Sequence, residues 1–323
     1  MQRLLLARFV HWSLGSFALT LAFLITAPWA SAEDTVDLTG AVPKPGTVIR
    51  TQVAFKIEPG EFDAKASTGK QTGIVRMEAE RIEETTILKP SQREKYRYEL
   101  NIIKDNSTYD FVFSGEPLFR DAGKVTFNDP LEGRKIRFTY TDDKWKRSLQ
   151  KADPPEGQHG RFVLQGEKEQ GKNPDKEQQK KIQVRSIWEL GEDFYPEDPV
   201  AVGYEWSTDG APLLRIMFGE NWLEEAGEAT LKFEKLTEYR GEQAAELLIN
   251  AELKGRGLDN GNNELDYTIR VTGTIIRSID SNMDREINLE GDVEMESVVV
   301  RNDVPVDVVI AGPFSIQYLV RIK

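Results

Sequence analysis

Apolar and polar residues alternate with a period of two along many segments of this chain, a pattern typical of β-strands that bury one face. In the first half, the alternating segments are 49–57, 96–102, 109–113 and 136–140. In the second half, they are 245–253, 267–275, 287–295 and 314–322. The pattern predicts a protein that is mainly β.

Short polar stretches between these segments have the composition of tight turns. They are Lys104-Asp105-Asn106, Asp259-Asn260-Gly261 and Asp280-Ser281-Asn282, and we expect each to connect two strands of a hairpin. Connections this short force neighbouring strands to run antiparallel. The sequence therefore predicts an antiparallel meander, curved like a half-barrel or sandwich-like, whose apolar face must be covered by another layer or by the sheet itself.

One helix is expected between Pro212 and Glu225. Leu213, Met217 and Phe218 recur at helical spacing there, although Gly219 weakens helical propensity. We interpret this helix as a plug that packs against the sheet, with a ligand-contacting helix as the alternative.

The first 32 residues have the composition of a secretory signal peptide. Arg3 and Arg8 precede the apolar stretch 14–27, and Ala30-Ser31-Ala32 supplies small residues for cleavage after Ala32. The alternative is a retained membrane anchor, but the apolar stretch is shorter than the about 20 residues that span a bilayer. We therefore expect a secreted or periplasmic protein with no integral membrane span after cleavage.

The rest of the chain is predicted to form two β modules. Residues 33–150 would form the N-terminal module and residues 182–323 the C-terminal module. A charged linker or insertion at 151–181 would separate them, because the stretch 167–181 contains no apolar residue that could repay its ordering entropy. A duplication of one module is an open alternative.

Composition excludes several classes of function. The net charge of −12 opposes nucleic-acid binding, which requires clustered Lys and Arg to neutralise phosphates. The chain contains no cysteine, so it has no disulfide, no thiol nucleophile and no lipid-attachment cysteine.

Candidate catalytic motifs are incomplete. Ser67 and Lys70 match the S-x-x-K pattern of a serine nucleophile with a lysine base, but the companion motifs are absent, and we expect a hairpin loop there. His159 is the only histidine outside the leader, and no G-x-S-x-G turn exists to hold a serine for it. No catalytic residue and no cofactor is therefore assigned.

Candidate metal and carbohydrate residues are equally incomplete. Asp280 to Asp284 carries oxygens at alternate positions like a calcium loop, but Arg285 and Gly291 stand where glycine and glutamate are needed. No metal ligand is assigned. We interpret the acidic residues Glu290, Asp292, Glu294 and Glu296 as the solvated face of a strand. Asn106 begins a sequence that matches an N-glycosylation site. The tryptophans are scattered along the sequence, as expected of residues that pack in a core or at a sheet edge: Trp145, Trp188, Trp206 and Trp222.

Three stretches of the second module resemble exported bacterial β-rich proteins of uncharacterised function. They are PVAVGYEW at 199–206, GEQAAELLINAEL at 241–253 and GTIIRSIDSNMDREINLEG at 273–291. At the level of pattern, a one-sided meander with a plugging helix is similar to the half-barrel of periplasmic lipoprotein carriers. That resemblance implies an apolar sheet face that shelters acyl chains.

We therefore expect an exported, non-catalytic binding or envelope-associated protein, whose partner is an apolar small molecule or another protein. The alternative is a metal-independent hydrolase that uses two carboxylates, as in glycoside hydrolysis.

Overall fold

The computed structural model describes residues 35–40, 43–115, 123–128, 132–133, 135–141, 144–149, 194–218, 222–258, 264–301 and 303–323. The chain divides into two compact units, residues 1–36 and 37–323. In the first unit, only strand β1, Thr35–Val36, is described. All the features below belong to the second unit.

The second unit consists almost entirely of strands. The first group is β2 (Val48–Ala66), β3 (Gly69–Ile87), β4 (Tyr96–Gly115), β5 (Gly123–Asn128), β6 (Lys135–Thr141) and β7 (Lys144–Leu149). The second group is β8 (Val200–Ala201), β9 (Glu205–Asp209), β10 (Trp222–Tyr239), β11 (Glu242–Leu258), β12 (Glu264–Ser278), β13 (Met283–Arg301) and β14 (Val304–Ile322). Helix α1, Ala211–Phe218, lies between β9 and β10.

Twelve of these strands form one antiparallel sheet. Its order is β7-β6-β4-β3-β2-β14-β13-β12-β11-β10-β9, and β5 pairs with a second stretch of β4. The edge strands β7 and β9 do not pair with each other, so the sheet is open. The predicted mainly β, antiparallel fold is confirmed.

The sheet buries one face, here called the inner face. It carries the alternating apolar residues that the sequence pattern predicts, and Ile57, Leu247, Ile275 and Ile287 on it are fully buried. The opposite, outer face carries most of the charged side chains. Burying an aliphatic side chain of this size contributes about 1.5–3 kcal/mol, so the inner face is the main source of stability.

The predicted turn at Lys104-Asp105-Asn106 is wrong, because β4 runs without interruption through these residues. Lys104 instead pairs with Glu80 at 2.6 Å, and Asp105 accepts a hydrogen bond from Nε of Arg81 at 2.6 Å. The polar side chains that suggested a turn are therefore satisfied by the neighbouring strand.

A β-bulge explains why the apolar pattern changes phase inside β4. The register places Glu83 opposite Ile102 and Ile82 opposite Lys104, so Ile103 is an extra residue. Because an extra residue reverses the alternation, the inner positions shift from even numbers before the bulge to odd numbers after it. A register shift between Ile57 and Gly60 changes the phase of β2 in the same way.

The predicted helix exists but is shorter than expected, because α1 ends at Phe218 and Trp222 already belongs to β10. At its start, the Asp209 carboxylate accepts a hydrogen bond from the backbone nitrogen of Ala211 at 3.0 Å, which satisfies an amide that a helix leaves unpaired. The helix contacts β10 and β11, and Leu213 and Leu214 are fully buried.

The strands of both predicted modules lie in the same sheet, since β14 pairs with β2 along most of its length. The division into two modules stays a prediction. The expected leader at 1–32, the linker at 151–181 and the turn at Asp259-Asn260-Gly261 lie outside the described residues.

Candidate functional site

A buried ion pair lies at the end of the β12–β13 hairpin. Arg277 of β12 and Asp284 of β13 are direct partners in the strand register, and both side chains are 1% exposed. Nη1 of Arg277 donates a hydrogen bond to Oδ1 of Asp284 at 2.8 Å. A buried charge requires such a partner because desolvation otherwise disfavours it strongly.

The remaining donors of Arg277 hold two backbone segments. Nε donates to the carbonyl of Leu38 at 2.9 Å, and Nη2 donates to the carbonyl of Asn282 at 2.9 Å. The first bond ties the segment that precedes β2 to the hairpin, and the second fixes the hairpin turn. The guanidinium therefore connects parts of the chain that are far apart in sequence.

Tyr195 completes this buried ion-pair cluster. Its hydroxyl donates a hydrogen bond to Oδ1 of Asp284 at 2.6 Å, and its ring lies 3.9 Å from the guanidinium carbon of Arg277. This distance allows a cation–π interaction. Burial and the adjacent Asp284 charge raise the pKa of the Tyr195 hydroxyl well above its usual value.

The buried ion-pair cluster is built for structure rather than for chemistry on a substrate. Each nitrogen of the Arg277 guanidinium donates to a protein oxygen, and Oδ1 of Asp284 accepts two hydrogen bonds. Within the cluster, Oδ2 of Asp284 is the one side-chain atom that is buried without a hydrogen-bond partner among the described residues. We therefore interpret the cluster as a clamp on the open sheet.

The adjacent residue Arg285 forms a second ion pair. Its guanidinium donates two hydrogen bonds to the carboxylate of Glu242 at the start of β11. These bonds to Arg285 lower the pKa of Glu242. Asp280, in the same turn, accepts a hydrogen bond from the backbone nitrogen of Gln243 at 3.2 Å. The turn that resembled a calcium loop is thus held by contacts with protein groups.

A row of aromatic rings forms a different kind of surface on the inner face, near the far end of β2 and β4. The aromatic stripe consists of Tyr109, Phe111 and Phe113 of β4 with Phe62 of β2. Adjacent ring centroids along β4 are 6.0 and 5.4 Å apart, and Phe62 lies 5.6 Å from Phe111 and 5.0 Å from Phe113. The three rings on β4 are half-buried, whereas Phe62 is buried.

Gly73 allows the aromatic stripe to cross an intervening strand. It lies in β3 between Phe62 and Phe113 in the register. A Cβ atom at this position would lie 2.5 Å from the carbonyl oxygen of Val112 and 3.1 Å from the Phe113 ring. The missing side chain therefore lets the rings of Phe62 and Phe113 meet over the backbone of β3.

The structure places several of the motif residues in ordinary structural roles. Ser67 and Thr68 form the turn between β2 and β3, as expected of a hairpin loop, and Lys70 pairs with Asp63 at 2.5 Å. Glu290, Asp292, Glu294 and Glu296 are exposed on the outer face, which confirms the predicted solvated strand face.

The remaining candidates are dispersed. Asn106 lies within β4, and the Trp206 indole nitrogen donates to the carbonyl of Phe194 at 3.2 Å. Trp145 belongs to β7 and Trp222 begins β10, while His159 and Trp188 lie outside the described residues. Among the residues that the structure describes, no group of three His, Asp or Glu side chains could hold a metal ion.

The role of Arg277 was missed at the level of sequence, although a pattern pointed to it. Ile269, Val271 and Ile275 occupy odd-numbered inner positions of β12, and Arg277 continues the series. An arginine in an inner position requires a buried acceptor. The partner residues Leu38 and Tyr195 are too distant in sequence for any local pattern to reveal them.

Comparison with known proteins identifies no family. No family model matches the chain, and no curated protein matches it. An outer membrane channel from Pseudomonas putida F1 aligns over 88% of this chain and 98% of its own, at 9% identity and a TM-score of 0.24. DynF from the dynemicin biosynthesis pathway of Micromonospora chersina aligns over 89% and 85%, at 11% identity and a TM-score of 0.19. Scores this low support no conclusion about function.

No helix in the described ranges combines the length and the apolar character that a membrane span requires.

Proposed function

We propose that this protein is a non-catalytic binding protein that shelters an apolar ligand against the aromatic stripe. The observation that carries the proposal is the half-buried state of Tyr109, Phe111 and Phe113 on the face of the sheet that holds the buried core. Aromatic rings left partly exposed together on an inner face are costly in water, and contact with an apolar ligand removes that cost.

The surroundings of the aromatic stripe favour a long, narrow ligand such as an acyl chain. Phe62, Val75 and Val306 form a buried apolar floor, and the partly buried Val308 and Ile310 extend it along β14. The three rings on β4 extend over about 13 Å, the length of four residues of a strand. Each methylene group of a ligand buried here would contribute about 0.8 kcal/mol.

The proposal includes the exported location and the likeness to lipoprotein carriers. The leader-like composition of residues 1–32 supports export, and an apolar sheet face that holds acyl chains is the feature expected from that likeness. Fractionation of the native host and N-terminal sequencing of the mature protein test the location, with Glu33 as the expected first residue. Recovery of uncleaved protein from the cytoplasm would refute export.

Ligand binding is tested with a fluorescent fatty acid titrated into the purified protein. We expect saturable binding by the wild type, a loss of at least about tenfold in affinity for Phe111→Ser, and no change for Val112→Ser. Val112 is the matched control because it is adjacent in β4 but lies 57% exposed on the outer face. Far-UV circular dichroism confirms that both variants fold.

The proposal fails if the folded wild type does not bind the probe. It also fails if Val112→Ser weakens binding as much as Phe111→Ser does, because the site would then not be on the inner face.

A further inference from the structure

Basic and acidic side chains are matched at several positions across neighbouring strands of this sheet, although Lys65 and Lys70 and also Glu228 and Glu252 are like-charged register partners. Such opposite-charge pairs each contribute a little to sheet stability, and like charges placed opposite each other destabilise it. The pairs are Lys104 with Glu80, Arg137 with Glu99, Lys235 with Glu246, Arg256 with Asp266, and Arg270 with Glu252.

Arg50 of β2 and Arg321 of β14 depart from this rule. They are direct partners in the register, so their side chains leave the outer face of the sheet from adjacent positions. Neither forms an ion pair with any residue that the structure describes. The acidic residue across from Arg50 on its other side is Glu84, and its carboxylate already binds the ammonium group of Lys323 at 2.5 Å.

The two arginines line a cleft at this end of the sheet. The cleft has a volume of about 360 Å³, and its walls are formed by Arg50, Gln52, Leu319, Arg321, Ile322 and Lys323. It therefore concentrates three cationic side chains in a protein whose net charge is −12. A counter-ion that reaches both Arg50 and Arg321 would relieve the repulsion between them.

We propose that this cleft is a binding site for a phosphate-type oxyanion. A carboxylate has two oxygen atoms, which one guanidinium can satisfy in a bidentate pair. Two guanidinium groups suit a tetrahedral ion with more oxygen atoms and a charge approaching −2. The shared chemistry is that of inorganic phosphate and of a phosphate-bearing headgroup.

This inference is independent of the proposed apolar site. Arg50 lies near the start of β2 on the outer face, whereas Phe62 lies near the end of β2 on the inner face. Failure of one proposal therefore leaves the other unaffected.

The test compares the thermal unfolding midpoint in sodium phosphate and in sodium chloride at equal ionic strength. We expect phosphate to raise the midpoint of the wild type above that in chloride, and the Arg50→Gln/Arg321→Gln double variant to lose this difference. Arg270→Gln is the matched control, because Arg270 is 71% exposed on the outer face and already paired with Glu252. It should keep the full phosphate effect. Isothermal titration calorimetry should show at least a tenfold loss of phosphate affinity in the double variant and no loss in Arg270→Gln.

A second measurement needs no ligand. In a low-salt buffer without phosphate, Arg321→Gln should raise the unfolding midpoint, because it removes the repulsion with Arg50. A lower midpoint would show that the two arginines stabilise the fold as they stand, and would overturn the proposal.

The source of the phosphate group is distinguished with vesicles. Co-sedimentation with phosphatidic acid vesicles that depends on Arg50 and Arg321, and that is absent for phosphatidylcholine alone, supports a lipid headgroup. Phosphate binding without vesicle binding supports a free oxyanion. Equal effects of phosphate and chloride, together with no vesicle binding, would refute the site.

Discussion

Arg277 and Asp284 face each other across the β12–β13 hairpin and are both removed from solvent. Leu38, Asn282 and Tyr195 surround the pair, so a single guanidinium holds the hairpin turn, the segment before β2 and the segment before β8. An open sheet lacks the hydrogen bonds between its first and last strands that stabilise a closed barrel. We infer that the buried ion-pair cluster supplies part of the missing stability at the end of the β12–β13 hairpin.

Removing the arginine of this pair should destabilise the protein strongly. In Arg277→Met, the Asp284 carboxylate stays buried without its counter-charge, and we expect a loss of about 3–5 kcal/mol in the free energy of unfolding. Urea denaturation followed by circular dichroism measures this change. Arg270→Met, which breaks an exposed pair, should cost about 1 kcal/mol or less. Equal losses in the two variants would contradict the clamp.

The hydroxyl of Tyr195 should make stability depend on alkaline pH. Its pKa is raised in the folded protein, so the folded state holds this proton more tightly than the unfolded state. The resulting stability is present below the unfolded pKa near 10 and is lost as the pH rises through the folded value. Tyr195→Phe should be less stable than the wild type at pH 8, and its stability should fall less between pH 9 and pH 11. Parallel curves for the two proteins would refute this linkage.

The ion pair of Glu242 with Arg285 should contribute to the free energy of unfolding only at pH values at which the Glu242 carboxylate is ionised. Its hydrogen bonds with Arg285 lower its folded pKa below the ordinary value of 4.5. The contribution is therefore present above about pH 4.5 and disappears as the pH falls through the lowered pKa. Glu242→Gln should be less stable than the wild type at pH 7, and the difference should shrink as the pH falls through the lowered pKa of Glu242. Denaturant titrations at several acidic pH values test this; a difference that stays constant from pH 7 down to the acid unfolding transition would rule it out.

Gly273 and Gly291 should not tolerate a side chain. A Cβ atom would lie 2.0 Å from the Asn288 carbonyl oxygen in one case and 1.9 Å from the Arg270 carbonyl oxygen in the other, and both oxygens belong to the paired strand. Because backbone cannot yield like a flexible side chain, we expect either alanine variant to lose more than about 2 kcal/mol. Gly241→Ala is the control: its φ of 84° is strained for alanine, but the surrounding space is open, and the cost should be about 1 kcal/mol. Thermal denaturation of the three variants would settle the comparison.

The bulge at Ile103 should make that residue dispensable. Deleting it leaves Ile102 and Phe111 on the inner face, because the deletion removes only the extra residue of the bulge. The alternation of inner and outer side chains along β4 then continues without a change of phase. We expect this deletion to cost about 1 kcal/mol. Deleting Asp110 instead moves Phe111 and Phe113 to the outer face and should prevent stable folding. Circular dichroism and analytical gel filtration distinguish these outcomes, and a folded Asp110 deletion would show that the register is not fixed by the apolar pattern.

The local alternation of apolar and polar residues predicted the strands well because one face of each strand is buried. The segments around Ile49, Leu247 and Ile316 all became strands with the expected inner residues. The failure at Lys104 has a definite cause: three polar residues signal a turn only when no neighbouring strand satisfies them, and here Glu80 and Arg81 do so.

The candidate sites were harder to predict from the sequence than the strands. The aromatic stripe depends on Gly73 lying between Phe62 and Phe113, which requires the register of three strands. The pairing of Arg50 with Arg321 joins residues near opposite ends of the chain, and no short-range spacing encodes such a pair. Register, rather than residue type, is the missing information in both cases.

The pairing of β2 with β14 has a consequence for folding. Ile49 and Ile322 are partners, so this contact joins residues that are far apart in sequence. High contact order slows folding, because a long loop must close before the contact is gained. During synthesis β2 would keep one hydrogen-bonding edge open until β14 emerges, and an open edge invites association with other chains. The rate of joining β2 to β14 should therefore govern both the recovery of folded protein and the tendency to aggregate during refolding.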